Sequence, residues 1–188
     1  MADQLHTFLF ADISGYSTLT ELEGDEAAAE MALRFASDVS RMAAELGAEL
    51  VKTSGDGVMV HCSDAASAIE LGMRLHTDAG EHGPLPLVHA GVHSGPAIAR
   101  GGDWWGATVN VASRICDAAG AGELLVTEAA RRAAGQAVDG RLSPRGPISL
   151  KNISNPVEVH SNHAPEPMTS RPALRLVPPL ADATAQAA

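Results

Sequence analysis

Two aspartates in this 188-residue chain stand where a carboxylate can do more than make a turn. Asp12 follows an apolar run, LHTFLFA at 5–11, and Asp56 lies between two glycines in KTSGDGV, flanked by stretches that read as paired strands. Taken singly, each is explained by turn and capping chemistry. Side by side, two carboxylates suit Mg²⁺ or Mn²⁺, hard cations that take oxygen ligands and keep positions open for phosphate oxygens and water. The turn Ile13, Ser14, Gly15, Tyr16 adds backbone N–H groups just ahead of a helix, where an anion is favoured. Further on, Asn110 and Arg114 are four apart in a helical stretch and project from one face. An amide beside a guanidinium makes a clamp for a sugar oxygen and a phosphoryl group carrying developing charge. The competing reading gives Arg114 a solvated ion pair with Asp117. His89 and His93, on one face of a strand with no neighbouring carboxylate in sequence, make a poor zinc pair. Trp104 and Trp105 read as packing, at an interface or behind a loop.

The elements that must position these groups follow from the hydrophobic pattern. A buried strand over 5–11 runs into a glycine-bearing turn, then one long helix from Ser17 or Thr18 to Leu46, with Gly47 as its C-cap. Strands at 49–53 and 58–62 form a hairpin around Asp56, and 64–77 is helical. A strand is expected at 85–92, with a possible continuation over 97–100 broken by Gly101 and Gly102. A helix at 108–119, a strand at 124–127, a helix at 128–134 and strands near 148–151 and 157–160 complete the order. That order predicts an α/β sandwich, a ferredoxin-like βαββαβ core with appended C-terminal αβ elements and a mostly antiparallel sheet. The domain is expected to span 1–163, followed by a Pro/Ala-rich flexible tail over 164–188.

Composition bounds the partners. A hydrophobic fraction of 45% with 19% charged residues fits a globular chain, and aromatics at 3% leave the core to aliphatic side chains. The net charge of −10 argues against a nucleic-acid strand, which demands a basic face. A single nucleotide is compatible, because cations held on carboxylates can neutralise its phosphates. Cys62 and Cys116 form no paired framework and read as reduced thiols. Neither a signal peptide nor a membrane-length apolar run is visible, so no membrane partner and a cytoplasmic location are expected.

Four segments then fall together: FADISGY at 10–16, KTSGDG at 52–57, GVHSGP at 91–96 and DWWGATVNVASR at 103–114. In this order and spacing they resemble the class III nucleotidyl cyclase catalytic domain of the bacterial, stand-alone adenylate cyclase type, over roughly residues 5–160. The resemblance implies two divalent metals on Asp12 and Asp56. It implies base reading by Lys52 and Asp103, ribose orientation by Asn110 and transition-state stabilisation by Arg114. Lys151 in SLKN lies near a phosphate-contacting lysine of the family, although the Asn152-Ile153 continuation departs from many relatives. Base choice has a physical argument too. Lysine only donates and an ionised aspartate only accepts, which complements the N1 acceptor and N6 donor of adenine. Guanine reverses both and would leave mismatched polar groups. The expected reaction is ATP to 3′,5′-cyclic AMP and pyrophosphate at a site shared between two chains, so a homodimer with two equivalent sites is implied. The alternatives are a nucleotide-binding regulatory homologue with little turnover, a guanylate cyclase, and a different two-metal palm domain. The last lacks the NVASR helix and the Lys/Asp pair.

Overall fold

Phe8 and Leu9 are neighbours in β1 (Leu5–Ile13), so they point to opposite faces of a sheet, and both are fully buried. A strand buried on both faces needs cover on both. In the computed structural model, which describes residues 4–80 and 83–163, Phe8 packs with Met59 and Ala112, whereas Leu9 joins a larger core with Phe35, Ile69 and Leu124.

After β1 the chain turns at Gly15 (φ 78°) into α1 (Tyr16–Glu23) and then α2 (Asp25–Glu45). The single long helix expected here is therefore two. Gly24, at φ 88° and ψ 166°, leaves helical geometry; its N–H bonds Thr20 O and its carbonyl accepts from Ala28 N, so one residue ends α1 and starts α2. Asp25 and Glu26 then sit in the first turn of α2, where the helix dipole favours negative charge. β2 (Glu49–Ser54) and β3 (Gly57–Cys62) form the expected hairpin, closed by Gly55 (φ 64°) and Asp56. α3 (Ala65–Thr77) is capped by Asp64, whose carboxylate accepts from Ser67 N at 2.8 Å. A small pairing of β4 (Ala79–Gly80) with β5 (Gly83–Pro84) leads to β6 (Val88–Pro96).

Gly101 and Gly102 (φ 64° and 75°) do not merely break a strand. They reverse it, pairing β7 (Ile98–Arg100) with β8 (Asp103–Trp105) in a hairpin outside the main sheet. α4 (Ala107–Ala118), β9 (Leu124–Thr127) and α5 (Glu128–Ala134) follow, then β10 (Ser143–Ile148) and β11 (Val157–Ser161). The strand expected near 148–151 lies instead at β10. Pro144 and Pro147 hide it from sequence reading, and its place on the sheet edge tolerates them.

The seven-stranded sheet runs β10-β11-β9-β6-β1-β3-β2, antiparallel throughout except for β6 with β9. Within it, β6-β1-β3-β2 is the order of a βαββαβ core, and β9, β10 and β11 extend it as expected. α2, α3 and α5 cover one face and α4 the other. α4 comes unusually close because β6 offers glycine. A Cβ at Gly91 would lie 2.3 Å from Cys116 N, and one at Gly95 would lie 2.6 Å from Thr108 Oγ1. The tail expected over 164–188 lies outside the described residues.

Candidate active site

The α4 side of β1 carries His6, Phe8, Phe10 and Asp12 in succession, since alternate residues share a face. Asp12 sits opposite Gly57 in the β1–β3 register, which brings the hairpin turn and Asp56 beside it. A Cβ at residue 57 would stand 3.0 Å from Asp12 Oδ1, so glycine keeps the carboxylate's surroundings open. Partial burial, and next the facing Asp56 charge, hold the Asp12 carboxyl above the usual aspartate range. Two opposed carboxylates with only oxygen donors are a fit for a hard divalent cation, whose charge would relieve that repulsion. Among the described residues no third His, Cys, Asp or Glu completes a metal cluster, so substrate or water oxygens would have to fill the remaining positions.

His89 stands opposite Asp12 on β6, with Nε2 3.8 Å from Asp12 Oδ2 and Nδ1 3.1 Å from Ser14 Oγ. The carboxylate missing from its sequence neighbourhood is thus supplied across the sheet. His93 differs: it bonds Thr127 Oγ1 at 2.8 Å, and burial pushes its pKa down to about 4. In the turn after β1, the Ile13 N–H is directed to the Asp12 carboxylate and Ser14 N bonds Leu87 O at 2.8 Å. Of the four amides singled out from sequence as an anion site, Gly15 and Tyr16 are therefore the two without those commitments.

Lys52 and Asp103 meet. Lys52 Nζ donates to Asp103 Oδ2 at 2.6 Å, while Trp104 N donates to Asp103 Oδ1 at 2.8 Å. The Lys52 ammonium, then that amide, hold the Asp103 carboxyl below the usual range. Lys52 and Asp12 line one cleft of about 190 Å³, together with Gly57, Ser113, Cys116 and Asp117. Asn110, Ser113 and Arg114 line a second cleft of about 220 Å³ with Lys151, Asn152 and Ile153. Arg114 Nη1 donates to Asp117 Oδ2 at 2.6 Å, so the solvated ion pair read as its alternative is present. Ser113 borders both clefts, and Asp117 is the carboxylate that links them. Sequence reasoning named neither as functional, because their meaning depends on α4 presenting one helix face between two clefts.

Residues 3–162 match the family model described as the adenylate and guanylate cyclase catalytic domain. A pH-sensitive adenylate cyclase of Mycobacterium tuberculosis is 36% identical over 159 residues, covering 81% of this chain and 39% of that protein. An adenylate cyclase of Streptomyces griseus is 33% identical over 126 residues, covering 67% of this chain and 32% of the other. The chain thus spans well under half the length of these curated relatives. Among solved structures, an adenylate cyclase from Trypanosoma brucei in its monomeric state superposes with a TM-score of 0.73, at 18% identity, over 84% of this chain and 89% of that one. At that identity the likeness concerns the fold.

Proposed function

The chain belongs to the adenylate and guanylate cyclase catalytic domain family, and from that premise we propose that it converts ATP to 3′,5′-cyclic AMP and pyrophosphate at a site completed by a second copy of itself. One observation carries the choice of substrate: Lys52 and Asp103, a pure donor and a pure acceptor, are brought from different elements to 2.6 Å. They present the hydrogen-bonding complement of adenine and mismatch guanine at both positions.

Asp12 and Asp56 would hold the divalent cations, Mg²⁺ or Mn²⁺, two per site in the family's arrangement. Bound there, the ions supply a more acidic ribose 3′-hydroxyl and charge neutralisation for the triphosphate. The remaining work falls to side chains. Lys52 donates to adenine N1 and Asp103 accepts from N6, fixing the base. Asn110 orients the ribose so that its 3′-oxygen lies in line with the α-phosphorus. As the 3′-hydroxyl gives its proton to solvent water, the 3′-oxygen to phosphorus bond forms and the bond to the bridging oxygen breaks, Arg114 exchanges Asp117 for the phosphoryl oxygens and offsets their growing charge. Lys151 lines the same cleft and would accompany the pyrophosphate. Gly15 and Tyr16, with Ile13 and Ser14 shaping the turn, offer the helix-start amides to the phosphates.

The pairing of two copies follows the family's arrangement, in which one chain supplies the metal aspartates Asp12 and Asp56 and the other Lys52, Asp103, Asn110 and Arg114. In one protomer Asp12 lines one cleft, and Asn110 and Arg114 line a neighbouring one that shares Ser113 with it. A two-fold pairing in which each half-site meets the other's complement would complete two equivalent sites. Among the described residues no helix is long and apolar enough to cross a membrane, and a cytoplasmic location belongs to the same proposal. The test is cyclic AMP formation from ATP with Mn²⁺ or Mg²⁺ by the purified protein and by Asp12→Asn. The wild type should be active. The variant should be inactive yet at least as heat-stable without metal, because it removes a repelling charge. An inactive wild type, or an Asp12→Asn variant of undiminished activity, would contradict the assignment.

A further inference from the structure

Asp103 rides on a hairpin that has little to hold it. β7 and β8 are three residues each and stand outside the main sheet, and Ile98 and Trp105 are largely exposed. An isolated two-stranded ribbon of this size is not stable by itself. Its anchor is Trp104. The indole stacks on His61 of β3, with ring centroids 4.2 Å apart and planes 22° apart, and lies 4.3 Å from His6 of β1. Phe8 closes the nest edge-on at 5.5 Å. Beneath the indole, His6 Nδ1 and His61 Nε2 are 3.1 Å apart and share a hydrogen bond. The backbone N–H of Trp104 in turn donates to Asp103 Oδ1. One residue therefore links the imidazole pair to the carboxylate.

We propose that His6 and His61 are positioning residues for nucleotide selection: their hydrogen-bonded pair seats Trp104, and the seated Trp104 holds Asp103 toward Lys52. The proposal rests on the reading of Asp103 as a base-reading group. Its physical content is proton counting. A neutral pair is joined by one N–H···N bond. One added proton keeps the pair joined and sets a cation against the indole face, which is favourable. A second added proton puts N–H on both facing nitrogens, and the contact becomes repulsive. The seat then opens and the hairpin loses its anchor.

The groups around the pair are few. Glu49 on β2 is the register partner of His61, and its charge favours protonation of that ring. Burial and then the His6 charge oppose it more strongly, so the His61 pKa lies below the usual histidine value. β6 contributes uncharged Gly95 opposite His6, and β8 contributes Asp103, which its lysine partner keeps ionised through the range in question. Selectivity for ATP should therefore weaken as pH falls below the ordinary histidine range, for a reason separate from catalysis.

Equilibrium binding of ATP and of GTP, measured from pH 7.5 to 5.0, tests this. Protonation of the triphosphate is common to both nucleotides and cancels in the ratio of their dissociation constants. That ratio should fall about tenfold in the wild type, the equivalent of one charge-assisted hydrogen bond. It should stay constant with pH in a His6→Gln/His61→Phe double variant, which keeps a flat ring under Trp104 and removes both titrating groups. Trp104→Ala should lose selectivity at every pH, and Trp104→Phe should recover most of it. A wild-type ratio indifferent to pH, or an equal fall in the double variant, overturns the proposal. Should the double variant fail to fold, or neither nucleotide bind, emission of Trp104 in a Trp105→Phe background decides. An acid transition in the nucleotide-free protein supports the seat, and flat emission from pH 7.5 to 5.0 rejects it. Absence of nucleotide binding would by itself count against the proposed activity and not against the seat.

Discussion

Lys52 and Asp103 are 51 residues apart and pair at 2.6 Å on a partly exposed surface, where an ion pair contributes little to stability. Their value is directional: one donates, the other accepts, and neither can reverse its role. Replacing Lys52 by Glu and Asp103 by Ser gives guanine an acceptor for its N1–H and a donor for its O6. The double variant Lys52→Glu/Asp103→Ser should lower kcat/KM for ATP by about 100-fold and raise that for GTP, read from product formation with each nucleotide. Unchanged preference would remove these residues from base selection. At this scale the chain was partly legible. Asp12 and Asp56 announce themselves by ending a strand and filling a Gly-Asp-Gly turn. Lys52 and Asp103 gained meaning only through resemblance, since nothing in local pattern pairs two charges so far apart. His89 stood out only as half of a poor zinc pair with His93, because its carboxylate neighbour arrives across the β1–β6 register.

Among the elements, α4 decides whether the two clefts exist, and β6 decides where α4 lies. The backbone of Cys116 approaches Gly91 so closely that a methyl group cannot be accommodated without moving the helix. Gly91→Ala should destabilise the fold by about 1–3 kcal/mol, measured by denaturant unfolding, and should lower activity beyond the loss of folded protein. β6 also carries His93, neutral in the fold because burial pushes its pKa down to about 4. In the unfolded chain an ordinary histidine takes up a proton near pH 6.5. The unfolded state thus binds more protons between those values, and stability must fall as pH drops from about 6.5 to about 4. Melting temperatures across that window should fall in the wild type and fall less in His93→Gln. The β2–β3 hairpin and α3 were legible because glycine, aspartate and apolar period agree with the tertiary structure. The α1–α2 break was not, because Gly24 is one glycine inside an otherwise helical run, and β10 was masked by its prolines. Trp104 and the β7–β8 hairpin fall between: the glycines signalled a break, and only tertiary contact turned it into a reversal.

At the scale of the whole molecule, the sheet carries the carboxylate pair at the end of β1 and the turn after β2, while α4 carries the asparagine and arginine of the other cleft. On the proposed reading a second copy joins the two halves, and the chain behaves as a shared-site enzyme. That property belongs to the pair of chains rather than to any single residue. The most direct measurement mixes purified Asp12→Ala with purified Arg114→Ala in equal amounts and follows cyclic AMP formation from ATP. Each variant alone should be nearly inactive. Random pairing makes half the dimers mixed, each with one intact site of two, so the mixture should recover about a quarter of wild-type activity. An active wild type whose two variants remain inactive when mixed would contradict the account.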